Sequence, residues 1–313
     1  MLVGCAAAPT ASEPAPADPS AEAAQSGPTS STSPISEDLD GLLAALERSH
    51  PEPFHGVSRE EFVAALDAYE ASLPEMTPDE SVVELMRVWA MLSREGRDGH
   101  QFVLSRDAPP LLPIRVYEFA EGVFVTASLA ASEELVGSRI TAIDGTPIDE
   151  VFAAIEPLVP RDGPTTVPAF RPIFLLRTDV LRGLGIIGSD GPVRLEVERD
   201  AVPSEVAVEP VSADEHAARL GAYGPQQLPP DERVRYLATP APFTAELLEG
   251  GIAYLRYRSV TAVDVDEVRS WVEDDAVERL VLDLRQNPGG DNTTLDFFAG
   301  RDPALEVALR GED

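Results

Sequence analysis

A chain of 313 residues, 43% of them hydrophobic, can bury one large core or two or three modest ones without covalent staples, and with Cys5 as its only cysteine it forms no internal disulfide. Its formal charge of -31, from 55 acidic against 24 basic residues spread along the whole length, would repel a phosphate backbone and sets aside nucleic acid as a partner. Lysine is absent and all 24 basic residues are arginine, which excludes a P-loop, Schiff-base chemistry and a Ser/Lys dyad built from these residues.

The chain opens on Leu2-Val3-Gly4-Cys5, and residues 6–34 after it are rich in Ala, Pro, Ser, Thr and Glu with no aromatic residue and no periodicity. Such a segment buries too little to fold and reads as a tether with a mean reach of about 30 Å. Ser36 then precedes a helix whose Leu39, Leu42, Leu43 and Leu46 share a face. Ser58 with Glu61 predicts a capping box for a second helix bearing Phe62, Leu66, Tyr69 and Leu73. Thr77, Pro78 and Glu80 open a third, with Val82, Leu85, Met86 and Trp89 on its apolar side. Together these predict a small helical bundle over residues 35–96.

Beyond Gly96, β-branched and aromatic runs between turn residues predict strands at 102–104, 114–117 and 123–126. Residues 136–143 read as a strand, Asp144-Gly145 as a turn and 148–155 as a helix. Residues 194–198 and 205–208 form a further strand pair, whereas the Pro/Gly-rich stretch 159–191 yields no element. In the last third, strands at 252–258 and 279–284 flank a helix that Asp264 and Glu267 open, with Val265, Val268, Trp271 and Val272 inward. A strand, helix and strand this close in sequence make the two strands parallel. The predicted class is α+β in several parts: the tether (1–34), a helical cap (35–96), a β-rich region (97–245) and a further α/β unit (246–313). No run is long and apolar enough to cross a membrane as a helix.

Two motifs could carry chemistry. The last strand runs into Asp283-Leu284-Arg285-Gln286-Asn287-Pro288-Gly289-Gly290. A Pro-Gly-Gly turn at a strand end exposes backbone amides and admits a carbonyl with no Cβ in the way. Donors placed in that manner stabilise an oxyanion by about 3 to 4 kcal/mol each. Arg97-Asp98-Gly99-His100 offers an imidazole with a pKa suited to a general base, or else a simple turn whose histidine packs or faces solvent. His50 and His55 flank Pro51-Glu52-Pro53 but lack further ligands, so no metal is expected. His216, among acids, reads as a solvated loop residue. No cofactor is implied.

Asp-Leu-Arg-x-Asn-Pro-Gly-Gly after a parallel strand resembles the signature of the carboxyl-terminal processing (tail-specific) serine peptidases, and Asp98-Gly99-His100 resembles a motif of their tricorn and retinoid-binding-protein-like branch. The resemblance implies a ClpP/crotonase-like core beginning in 246–313, with His100 as general base and Gly289 or Gly290 as oxyanion donor. Asp283, Arg285 and Asn287 would shape the motif. Residues 137–148 resemble the latter half of a PDZ domain, which implies a peptide-holding module in 97–245. Gly183-Leu184-Gly185-Ile186 has the letters of that domain's carboxylate loop but follows the matched strand instead of preceding it. Leu2 to Cys5 resemble a bacterial lipobox, implying a lipid on Cys5, attachment to the outer face of an envelope membrane, and a signal segment upstream of Met1. The implied activity is hydrolysis of peptide bonds in unfolded or C-terminally exposed polypeptides. The family's serine follows the turn by several tens of residues; no serine follows Ser270, so the chain is expected to stop before its nucleophile and to be inactive alone. The alternative is a non-catalytic lipoprotein that binds peptides or apolar ligands on the same scaffold.

Overall fold

The computed structural model describes residues 34–94, 96, 98–105, 107–129, 134–188, 191–220, 241–259, 269–271, 273–284 and 287. The architecture is α+β, and the chain divides into two compact units, Met1–Ala222 and Tyr223–Asp313.

The first unit begins with α1 (Pro34–Ser49), α2 (Arg59–Ser72) and α3 (Pro78–Ala90). Ser36 lies inside the first turn of α1, and the leucine stripe turns only partly inward: Leu46 is buried while Leu42 is 37% exposed. At α2 the Ser58 hydroxyl accepts from the Glu61 N–H at 3.1 Å, but the reciprocal half of the box is replaced, because the Glu61 carboxylate accepts from Arg94 at 2.7 Å. At α3 both halves are made, Glu80 N–H to the Thr77 hydroxyl at 3.2 Å and Thr77 N–H to the Glu80 carboxylate at 2.7 Å. Phe62 is fully buried and meets Trp89 edge-on at 5.7 Å between ring centroids. Burying such a ring stabilises the bundle by about 2 to 3 kcal/mol.

An antiparallel sheet follows, made of β1 (Ile114–Phe119), β2 (Gly122–Ser128), β3 (Arg139–Ile143), β4 (Thr146–Pro147), β5 (Val193–Arg199) and β6 (Val202–Val208). Its spatial order is β1-β2-β3-β5-β6, with β4 added to β3 after the Asp144-Gly145 turn. Val123, Val125 and Ala127 of β2 and Val193, Leu195 and Val197 of β5 are all buried, as the two-residue period of a one-sided sheet requires. All but Ala127, which packs with Leu129 and Leu220, join a core with Val151 and Ile155 of α4 (Ile148–Ile155), Phe174 of α5 (Thr166–Phe174) and Leu181 of α6 (Thr178–Gly183). Val83 and Met86 of α3 belong to this core too, whereas Val88 and Trp89 of the same helix belong to the core of the bundle.

Several expectations change here. No strand forms at 102–104: the Phe102 N–H turns back to the His100 carbonyl at 3.0 Å and its ring packs on Phe170, 4.9 Å away. The stretch that yielded no element holds α5 and α6, with Pro172 inside α5. Gly183-Leu184-Gly185-Ile186 is the stop of α6. Gly185 has φ +69 and donates to the Arg182 carbonyl at 2.8 Å while Ile186 donates to Leu181 at 2.9 Å, the pattern by which a left-handed residue closes a helix. His216 is not a solvated loop residue. It lies on α7 (Ala213–Leu220), whose His216 and Leu220 are buried, and its Nε2 is 3.0 Å from the Ile114 carbonyl oxygen.

The second unit holds a three-stranded sheet, β7 (Phe243–Leu248), β8 (Ile252–Tyr257) and β9 (Arg279–Asp283). β8 and β9 run parallel, as the sequence predicts, and β7 lies antiparallel on the other side of β8, which it does not. Residues 264–268 and Val272 of the helix predicted between β8 and β9 lie outside the described residues; 269–271 are helical.

Candidate functional site

Asp98 sits where three stretches of the first unit meet. Its N–H donates to the Arg161 carbonyl at 3.1 Å, and the Arg161 N–H in turn donates to the Ser93 hydroxyl at 2.9 Å, so the turn is fastened to the residues that follow α3. Gly99 is forced by proximity: a Cβ on it would stand 2.6 Å from the Asp162 Cβ. The Asp98 carboxylate gathers donors from both directions along the chain. Its Oδ2 accepts from Gln101 Nε2 at 2.7 Å and stands 2.8 Å from His50 Nε2, and its Oδ1 lies 3.3 Å from the His100 N–H. Burial alone would raise the carboxyl's pKa; the hydrogen bonds from Gln101, His50 and the His100 amide, with the charge His50 carries when it is protonated, outweigh it and leave the pKa below the usual carboxylate value. Asp98 is therefore an anion at neutral pH.

His50 comes from the loop between α1 and α2. The Glu52 N–H donates to its Nδ1 at 3.1 Å, which assigns the ring proton to Nε2 and makes Nε2 the donor to Asp98. His55 stacks beside it, ring centroids 6.1 Å apart and planes 13° from parallel. The His55 Nδ1 lies 2.9 Å from the Glu52 carbonyl oxygen, and its buried Nε2 has no hydrogen-bond partner among the described residues. Among the described residues no group of three His, Cys, Asp or Glu side chains is placed to hold a metal ion.

His100 itself is exposed, at the tip of this fixed turn. This is what the turn alternative expects: Asp98-Gly99 makes a turn and His100 faces solvent. Sequence reasoning missed His50 and Gln101 as partners of Asp98. Gln101 was within reach of a local reading; His50 lies 48 residues away along the chain, and no spacing rule connects it.

In the second unit the register sets Arg256 opposite Asp283, and both are buried, 1% and 5% exposed. The Tyr254 hydroxyl donates to Asp283 Oδ2. Beyond the strand, the Asn287 N–H donates to the Leu284 carbonyl at 3.0 Å and its Nδ2 to the Tyr257 carbonyl at 2.9 Å, so the chain is already turning at Asn287 and is pinned to the end of β8. Cys5, Arg97, Arg285, Gly289 and Gly290 lie outside the described residues. His100 belongs to one unit and Asp283 and Asn287 to the other.

A groove of about 620 Å³ opens beside β3, where β2 pairs only with Arg139 and Ile140 and β4 only with Ala142 and Ile143. Phe119, Pro147 and Phe152 give it apolar walls, and Arg171 lies over the Phe152 ring at 4.6 Å from its centroid. The Glu118 carboxylate holds that guanidinium and raises its pKa further. Glu118, Glu121, Arg139, Asp149 and Glu156 line it as well, so the groove is open and strongly charged. No helix among the described residues is long and apolar enough to cross a membrane. No protein-family model matches the chain.

Proposed function

We propose that this chain carries the general base and the oxyanion donors of a tail-specific serine peptidase, acting on unfolded or C-terminally exposed polypeptides at the bacterial cell envelope, with Cys5 as the point of lipid attachment. The finer fold reading belongs to the proposal: a helical cap, a PDZ-like module and the start of a ClpP/crotonase-like core. The observation that carries it is the end of β9. A parallel strand delivers a buried Asp283 held by Tyr254, and Asn287 ties the departing chain to β8, ahead of Gly289 and Gly290. That is the setting in which the motif's glycines would have to offer their amides to a developing oxyanion.

In the proposed reaction a serine hydroxyl attacks the scissile carbonyl while His100 takes its proton, and the amide of Gly289 or Gly290 donates to the oxyanion. His100 then returns the proton to the leaving amine, and water repeats the sequence on the acyl-enzyme. None of this chain's own serines is assigned as the nucleophile. The exposure of His100 suits the role, since a base must reach a group brought to it. The groove beside β3 would hold the polypeptide.

Two measurements test this. Treated with a fluorophosphonate probe, the purified chain should take no label, and a labelled serine anywhere in it overturns the assignment of roles. In fluorescence anisotropy, a disordered peptide with a free apolar C-terminus should bind and be displaced by unlabelled peptide; absence of binding to any such peptide removes the substrate class.

A further inference from the structure

We propose that His50 is a positioning residue for His100, acting through Asp98: the imidazole of the α1–α2 loop clamps the carboxylate that shapes the turn on which His100 is presented. The inference rests on reading His100 as the working imidazole, and it adds a residue that neither motif contains.

Both ring nitrogens of His50 are spent, Nδ1 on the Glu52 N–H and Nε2 on Asp98, so His50 has no lone pair left with which to act as a base itself. Its part is to hold. Asp98 Oδ2 receives one donor from the turn, Gln101, and one from His50, while Oδ1 faces the His100 amide. Without His50 the carboxylate keeps, among the described residues, only the donors of its own turn. Pro51 and Pro53 restrict this loop, so His50 is brought to Asp98 at reduced entropic cost. Gly56 seats the same loop closely, since a Cβ there would stand 2.8 Å from the Leu92 carbonyl oxygen. The opposite side of the turn is closed by Arg161 and Asp162. Held from both sides, the turn fixes the backbone beneath His100, and of the two histidines His100 is the exposed one.

The test uses the full chain with nitrogen-15 and carbon-13 labelled histidine. At neutral pH the His50 spectrum should show a protonated Nε2 and an unprotonated Nδ1. His50→Leu should speed hydrogen exchange of the His100 amide by about tenfold or more and should shift and broaden the His100 ring resonance, with the melting transition of the chain retained. His50→Gln keeps an N–H donor within reach of Asp98 and should hold the amide exchange to within about twofold of the parent. The opposite His50 tautomer, or a leucine variant whose His100 signals match the parent, overturns the proposal. Should the leucine variant fail to fold, the tautomer of the parent chain still decides it. None of these readouts requires hydrolysis, so a serine that takes the fluorophosphonate would overturn the assignment of roles, and a peptide that fails to bind would remove the substrate class, while either result leaves the clamp standing.

Discussion

Replacing Gly99 by alanine asks whether the turn bearing His100 is wedged against the loop at 161–163. The new Cβ would stand 2.6 Å from the Asp162 Cβ, 3.2 Å from its backbone nitrogen and 3.4 Å from its Cα. Carbon atoms rest about 3.5 to 4.0 Å apart, so roughly 1 Å must be found. The obstructing atoms are backbone and the first side-chain carbon, so no change of rotamer supplies it. Moving the loop strains the Asp98 bond to the Arg161 carbonyl, now 3.1 Å. Overpacking costs about 1 to 3 kcal/mol and one weakened hydrogen bond about 1 more. The smaller entropy of the unfolded alanine chain offsets about 0.4 to 1 kcal/mol. The net expectation is a loss of about 2 kcal/mol. Gly163→Ala is the control, because a Cβ at Gly163 meets nothing within 4 Å; it should change stability by less than about 0.5 kcal/mol. Urea unfolding followed by Trp89 fluorescence in a Trp271→Phe background reads both. A Gly99→Ala midpoint equal to that of the control would refute the wedge.

Other sites give independent tests. Gly183→Ala drives a Cβ into the Asp79 carbonyl and to 2.6 Å from Val83 Cγ2, so it should part α6 from α3 and cost about 2 to 3 kcal/mol in the same urea assay. Thr77→Ala removes the hydroxyl half of the α3 capping box and should cost about 1 kcal/mol. The Arg177–Asp179 pair is nearly buried and doubly bonded at 3.1 and 2.6 Å, so Arg177→Met strands a buried carboxylate and should cost about 3 to 5 kcal/mol. Burial holds the His216 pKa below its usual 6.5, a hydrogen bond to Ile114 opposing and the Arg115 charge adding to the fall. The unfolded chain therefore takes this proton first, and stability should decline as pH drops below about 6.5 until the folded pKa is passed. His216→Gln should flatten that decline. Asp98 has its own window: its contribution is complete above the ordinary carboxylate value of 3.8 and is lost as pH falls through its lower folded value.

What the sequence made legible was local and strongly patterned. The α3 box needed only three residues in a row of known spacing, and the parallel pairing of β8 and β9 followed from the short segment between two apolar runs. Where composition argued against structure, tertiary packing overrode it. Pro168 and Pro172 concealed α5, yet Phe170 and Phe174 bury its apolar side well enough to keep it helical. Acidic neighbours concealed α7, although His216 and Leu220 fall at a helical spacing. The strand expected at 102–104 had the right residues, but the Phe102 N–H is spent within the turn on the His100 carbonyl and its ring packs on Phe170. The candidate site divides the same way. The Asp98-Gly99-His100 turn could be read from its letters, while the ring that clamps it could not, because only the fold brings His50 across.

One helix, α3, is shared by both cores of the first unit, Val83 and Met86 facing the sheet and Val88 and Trp89 the other helices. Met91, Leu92 and Ser93 continue it as a short buried turn almost to Asp98. Helical layer and sheet are thus bolted through a common beam, so a swing of one against the other would have to break a core on one face of α3. The turn bearing His100 follows directly from the end of that beam, so the stability of either core is also the stability of its footing.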